Sequence, residues 1–405
     1  MAHRPPDHPV DPGDAGWAGL QSADIGTLPL DSGVSIPVTI AYETWGRLNS
    51  EGSNAVLVEH ALTGDSHVVG PAGADHPTAG WWEGLIGPGA PLDTDELFVV
   101  ASNVLGGCRG TTGPSSPGPD GRAWGSRFPR ITIRDQVRAE ARLADLLGIG
   151  SFRAVLGGSM GGMRAAEWAA TFPTRVEVAL VIASTGVASA EQIAWASVQN
   201  QAIRADRHYA GGDYYDTGAA PTEGMSIARE IAQVTYRSEP ELEQRFGNDR
   251  QPSAETAAHR LSHGGRLDRG EGRPLFAVEG YLHHHGAKLV SRFDAGSFIT
   301  LNEAMSGHDI GAGRGGMAAA LAGFGGALVA VSVDSDRLYP PHQSEQLAQA
   351  AQRGRHIRLS SLHGHDGFLI EREQVGAIIR EALESAGAAT GWRSWRDGTR
   401  RRSSA

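Results

Sequence analysis

Apolar residues recur along this chain in short bursts. Asn54-Ala-Val-Leu-Val-Glu-His60 is an apolar run bounded by polar residues, which predicts a buried strand. Leu97-Phe-Val-Val-Ala-Ser102, Phe152-Arg-Ala-Val-Leu156, Val176 to Ala183 and Ala327 to Val333 read the same way, His356 to Leu359 reads as another short strand, and Ile36 to Glu43 adds an earlier one. The first ordered part is expected near Ile25. Helices are predicted over Ile133 to Leu147, where Val137, Leu143 and Leu147 fall near helical spacing, and over Gly162 to Thr171, which ends before Pro173. A last helix is predicted over Glu373 to Ser385. Strands that alternate with helices at these lengths imply βαβ units and a mainly parallel sheet flanked by helices.

The alternation stops after Gly186. From Ala188 to Asp294 the chain reads as helical and polar, with Arg245 to Arg273 as a hydrophilic loop, and the strand pattern returns at Ala327. The expected division is an α/β core over 20–186, an inserted helical segment over 187–300, the rest of the core over 301–386, and a disordered tail over 387–405. That tail holds Arg393, Arg396, Arg400, Arg401 and Arg402 in a Ser/Gly-rich context. No internal repeat is visible.

Composition narrows the classes. The net charge is −10 and Lys288 is the only lysine, which argues against a nucleic-acid partner and against a polybasic membrane anchor. No stretch approaches the roughly 20 apolar residues of a membrane span. Met1 to Gly19 has no basic region followed by an apolar one, so the expected compartment is the cytoplasm. Cys108 is the one cysteine, which leaves no disulfide within the chain and no cysteine-based zinc site. It reads as a structural thiol. His283-His-His285 holds three potential metal ligands, but adjacent helical side chains point apart, so no metal is expected. Trp81 and Trp82 read as core or pocket wall.

One motif carries chemistry. Gly157-Gly-Ser-Met-Gly161 matches G-x-S-x-G and lies between a predicted strand and a predicted helix, the context of a nucleophile elbow. Ser159 needs a base, and the order along such chains is serine, acid, histidine. Asp334 or Asp336 follows one later strand, and His363 or His365 follows the next; spacing leaves both pairs open. The Met160 backbone N–H would supply one oxyanion donor, and the His60-Ala-Leu-Thr-Gly64 loop a second.

Longer stretches add a resemblance. His60-Ala-Leu-Thr-Gly-Asp-Ser-His67, Gly80-Trp-Trp82, Asn103 to Pro114, Phe128 to Asp135, Gly157 to Gly162, Thr235-Tyr-Arg237, Ser291-Arg-Phe-Asp294, Ser335 to Pro341 and Gly364-His-Asp-Gly-Phe-Leu369 all match. Over about Leu28 to Ala382 the chain resembles the homoserine O-acetyltransferase family. The resemblance implies an α/β-hydrolase fold with an inserted helical lid. It implies a triad of Ser159, Asp336 and His365, oxyanion donors on Leu62 and Met160, and substrate contacts from Arg237 and Asp366. L-Homoserine and acetyl-CoA are the implied substrates, acetyl-CoA being a co-substrate with no further cofactor, and the implied assembly is a homodimer acting in methionine biosynthesis. Acetyl would pass through an ester on Ser159. Two departures fall in the lid: Asn200 where many relatives have arginine, and Arg207-His-Tyr209 where they have Pro-Trp. Rival readings are succinyl transfer, acylation of serine, a plain esterase or thioesterase, and a non-catalytic binding protein.

Overall fold

The computed structural model describes residues 19–73, 76–251 and 275–390. Its strands are β1 (Gln21–Pro29), β2 (Ser35–Trp45), β3 (Ala55–Glu59), the short pair β4 (Ile86–Gly87) and β5 (Leu92–Asp93), β6 (Phe98–Ser102), β7 (Phe152–Gly158), β8 (Val178–Ile182), β9 (Ala327–Val333) and β10 (Gly354–Leu359). Eight of them form one sheet in the order β1-β2-β6-β3-β7-β8-β9-β10. Pairings from β6 to β10 are parallel, whereas β1–β2 and β2–β6 are antiparallel. The chain joins the sheet earlier than Ile25, because β1 starts at Gln21.

Residues of alternate parity face opposite sides of each strand. In β3, Ala55 and Leu57 join the core on one face of the sheet, and Val56 and Val58 join the core on the other. Both faces of the central strands are therefore covered, which is why these strands are continuous apolar runs.

The helices α1 (Ile133–Leu146) and α2 (Met160–Thr171) precede β8. Thr132 and Asp135 form a reciprocal capping box at the start of α1. Between β8 and β9, among the described residues, the chain adds no strand to the sheet. It forms α3 (Ala190–Arg204), α4 (Thr222–Tyr236), α5 (Glu239–Phe246), α6 (Ala277–Val290), α7 (Ala295–Ser306) and the short α8 (Met317–Leu321). The C-terminal part adds α9 (Pro341–Ala350), α10 (Gly367–Ile370) and α11 (Arg372–Thr390). Two sequence expectations need correction. Arg245 and Phe246 close α5 rather than open a loop, and α11 runs to Thr390, past the residue where a disordered tail was expected. The rest of that loop, 252–274, and the arginine-bearing residues 391–405 lie outside the described residues.

Candidate active site

Ser159 sits where β7 hands over to α2, with φ 58° and ψ −121°. A non-glycine residue in this region is strained and must be held by its surroundings. Its N–H donates to Ile182 O at 2.9 Å, and its carbonyl accepts from Ser184 Oγ at 2.7 Å. The flanking glycines are required by contact. A Cβ on Gly161 would lie 2.1 Å from Glu59 O, and one on Gly158 would lie 2.2 Å from the Phe368 ring.

The structure separates the two ambiguous pairs. Asp336 Oδ2 lies 2.7 Å from His365 Nδ1, and His365 Nε2 lies 2.9 Å from Ser159 Oγ. Asp336 Oδ1 accepts from the Leu338 and Tyr339 N–H groups, which fixes the carboxylate's rotation. Asp334 instead faces solvent and accepts from Ser360 Oγ and Ser361 N, bracing the loop. His363 points elsewhere, its Nδ1 3.2 Å from Glu241 Oε1. Burial disfavours the His365 imidazolium, but the Asp336 carboxylate outweighs that effect, with Asp366 adding to it, so the affinity for a proton is raised. Tyr339 stacks on the imidazole at 5.0 Å between centroids, Tyr236 lies at 5.6 Å, and Phe368 meets it nearly edge-on at 5.7 Å. The sequence reading missed Tyr236 and Tyr339 as walls of the site, although both lie beside residues it had singled out.

Met160 opens α2, so its N–H precedes the first intrahelical acceptor. Leu62 lies in a tight turn closed by Gly64 N donating to Ala61 O at 2.9 Å. Leu62 and Ser159 line one cavity, whose opposite wall is α3 and α7 with Gln192, Trp195, Gln199, Asn302 and Met305. Asn200 is buried behind that wall and accepts from Asn302 Nδ2 at 3.1 Å.

Arg237 and Asp366 are brought together, but they are not among the side chains lining that cavity. Arg237 Nη2 lies 3.1 Å from Asp366 Oδ2, Nη1 donates to Glu241 Oε1 at 3.0 Å, and Nε donates to Tyr281 Oη at 3.1 Å. The two partners respond differently. Burial opposes the Arg237 charge, yet Asp366, Tyr281 and Glu241 raise its proton affinity overall. For Asp366, burial outweighs the pull of Arg237 and the carboxyl is displaced upward. His365 and Arg229 also draw the Asp366 carboxyl downward, without overcoming its burial.

Glu43, His67 and His76 form a buried cluster whose ligand atoms lie within reach of a single cation. The two imidazoles are stacked in parallel, 3.8 Å apart with a 6° tilt. His67 Nδ1 and His76 Nε2 lie 3.3 and 3.5 Å from the same Glu43 oxygen, Oε2. Through its other oxygen, Oε1, Glu43 also anchors the His60–His67 loop by accepting from Ser66 Oγ at 2.8 Å. In the His283-His-His285 stretch, the rings of His284 and His285 are nearly perpendicular, at 88°. Cys108 accepts from Asp294 N at 3.4 Å, and burial pushes its thiol up to about 11, away from thiolate reactivity.

An elbow serine, an imidazole and a carboxylate at the C-terminal ends of a mainly parallel sheet define the class. Residues 54–369 match the alpha/beta hydrolase fold family, and the chain is a member of it. Within that class the similarity is narrower. The chain is 55% identical over 375 residues, 92% of this chain and 94% of the other, to the homoserine O-acetyltransferase of Thermobifida fusca. The crystal structure of homoserine O-acetyltransferase from Bacillus anthracis superposes with a TM-score of 0.79 at 26% identity, covering 90% of this chain and 97% of that one. Esterase E22 gives the same TM-score at 25% identity, covering 90% and 99%. The chain belongs to the homoserine O-acetyltransferase family of acyltransferases. Among the described residues, no helix is long and apolar enough to cross a membrane.

Proposed function

We propose that this enzyme transfers an acetyl group from acetyl-CoA to the γ-hydroxyl of L-homoserine, giving O-acetyl-L-homoserine and CoA for methionine biosynthesis in the cytoplasm. The observation that carries the chemistry is the unbroken chain Asp336–His365–Ser159, with contacts of 2.7 and 2.9 Å. In the first half-reaction His365 takes the Ser159 proton as Oγ attacks the thioester carbonyl. The oxygen that gains charge is met by the Leu62 and Met160 N–H groups. The C–S bond breaks, the thiolate leaves with the proton returned by His365, and Ser159 carries the acetyl ester. In the second half-reaction His365 deprotonates the γ-hydroxyl of homoserine, which attacks the ester and regenerates Ser159. Asp336 orients the imidazole and stabilises its protonated form throughout.

Arg237 and Asp366 hold the charged ends of the amino acid. A zwitterion fits an existing ion pair by exchange: its ammonium replaces the guanidinium at Asp366, and its carboxylate replaces Asp366 at Arg237. The helices α3, α4 and α7 act as a lid that keeps water from the acyl-enzyme, since side chains from all three wall the Ser159 cavity. The exposed Ile193 and Val198 on α3 and Ile227 and Val234 on α4 supply an apolar face for a homodimer.

CoA release from acetyl-CoA, followed with and without homoserine, tests the reading. Brisk release only with homoserine, together with a Ser159 acetyl adduct in the mass spectrum, is the expected result. Release without an acceptor would indicate a hydrolase, the second reading that the likeness to esterase E22 supports. Faster release from succinyl-CoA would reassign the acyl group, and faster release with serine as acceptor would reassign the acceptor. Ser159→Ala should abolish both release and adduct.

A further inference from the structure

A second buried cluster joins β3, α1 and α2. Arg164, on α2 one turn after Met160, is fully buried. Its Nη2 donates to His60 O at 2.7 Å, and its Nη1 donates to Glu140 Oε1 at 2.6 Å. The same Nη1 lies 2.6 Å from Glu59 Oε2, and Glu140 Oε2 accepts from Trp168 Nε1 at 3.0 Å. Glu59 ends β3 and His60 begins the turn that presents Leu62. Burial raises the Glu59 carboxyl well above its ordinary range, against the pull of Arg164.

The turn itself is braced by the His60 ring. Burial and the neighbouring Arg164 push the imidazole down to about 3, so it is neutral. Its two contacts assign the tautomer: Nε2 accepts from Val104 N at 3.1 Å, which leaves Nδ1–H to donate to Ala61 O at 2.8 Å. Ala61 O also accepts from Gly64 N, the bond that closes the turn over Leu62.

We propose that Arg164 is a positioning residue for the oxyanion hole, tying the turn that presents Leu62 N–H to the helix that presents Met160 N–H. This rests on the donor assignment under the proposed function. Donors carried by two different elements stabilise a developing oxyanion only if their separation is fixed beforehand. Close packing of Gly161 on Glu59 O sets how near α2 comes to β3. The planar guanidinium, bonded to Glu140 and His60 O at once, sets how the turn is rotated relative to the helix. Lysine keeps the charge but not the two-armed span.

The test is Arg164→Lys, with Glu140→Gln as a second variant that keeps the side-chain volume and an oxygen acceptor for Arg164. Folding is checked by circular dichroism and melting. For Arg164→Lys we expect kcat to fall by about 10²-fold, the scale of a misplaced donor, with KM for both substrates within about twofold. Binding of an alkyl boronic acid, whose tetrahedral Ser159 adduct places an oxygen in the hole, should weaken by the same factor. Glu140→Gln should show the same pattern, smaller in size. A folded Arg164→Lys enzyme with kcat and boronate affinity within about threefold of the parent overturns the proposal. So does a loss spread equally over kcat and both KM values, because that reports general loosening. If Arg164→Lys does not fold, Glu140→Gln decides by the same two readouts. An active Ser159→Ala enzyme, or a parent that binds no boronate, would instead overturn the serine mechanism itself.

Discussion

On the sheet side of the cavity, Ser159, Asp336 and His365 are placed by backbone. A positive φ, glycines with no room for a Cβ, and two N–H groups on one carboxylate oxygen leave them little choice of position. On the helical side, the wall is made of amide side chains bonded to one another, such as Asn302 to Gln199 and Asn200, or to a backbone carbonyl, such as Gln192 to Leu338 O. Backbone constraints tolerate few residue types and so recur as readable motifs. Side-chain pairs can be exchanged for other pairs of similar shape. The departures at Asn200 and Arg207-His-Tyr209 fall on the exchangeable side.

The sharpest way to break this contrast uses two aspartates two residues apart. Asp336→Asn should lower kcat by up to about 10⁴-fold, because the amide no longer stabilises imidazolium or fixes its tautomer. Asp334→Asn should leave kcat within about threefold and cost about 1 kcal/mol of stability from its loop hydrogen bonds. Steady-state kinetics and thermal melts on the pair decide it; comparable kinetic losses would show that the loop, not the contact to His365, matters. Next in size, Arg237→Ala should raise the homoserine KM by about 10- to 100-fold, the worth of a charged hydrogen-bonded pair, and the acetyl-CoA KM far less. Equal shifts in both would reject the carboxylate role.

A pH profile sharpens the sheet side further. In the proposed mechanism His365 acts only when neutral, and Asp336 raises its folded-state value above the usual 6.5 against the opposing effect of burial, so kcat/KM should climb with pH through a midpoint above 6.5. Its contribution to stability has the opposite slope: present below 6.5 and lost as pH rises through the raised value. In Asp336→Asn the main raising influence is gone and burial remains, so the residual activity should have its midpoint on the acid side of the parent's. A midpoint that does not move would mean the observed titration belongs to another group. The smallest expected change is Asn302→Ala on the helical wall, with about 1 kcal/mol of stability lost in denaturant melts and kcat within about threefold.

Legibility in the sequence followed the same divide. The strands β3, β6, β7, β8 and β9 were readable because burial on both faces leaves continuous apolar runs. The edge strand β1 was not, since most of Gln21–Pro29 is exposed and its pattern is polar. The helices between β8 and β9 could be read only as a helical stretch, because α3 and α6 are weakly amphipathic and buried partly through polar residues such as Gln199 and Asn200. Residue types near Ser159 were legible, but choosing Asp336 over Asp334 and His365 over His363 needed the resemblance, as both members of each pair follow a strand. Nothing in the spacing showed that Arg237 and Asp366 pair with each other. The Arg164 cluster was also invisible, because charged residues from β3, α1 and α2 read singly as surface.

His365 Nε2 and Ser159 Oγ touch across 206 residues of chain. A ribosome must therefore release nearly the whole protein before the imidazole can reach its hydroxyl, and such long-range closures are slow to form. Until β10 docks on β9, the growing polypeptide carries its serine without that imidazole contact. Under the proposed mechanism, partial translation products that end before His365, and chains nicked between these two points and separated, should not transfer an acyl group.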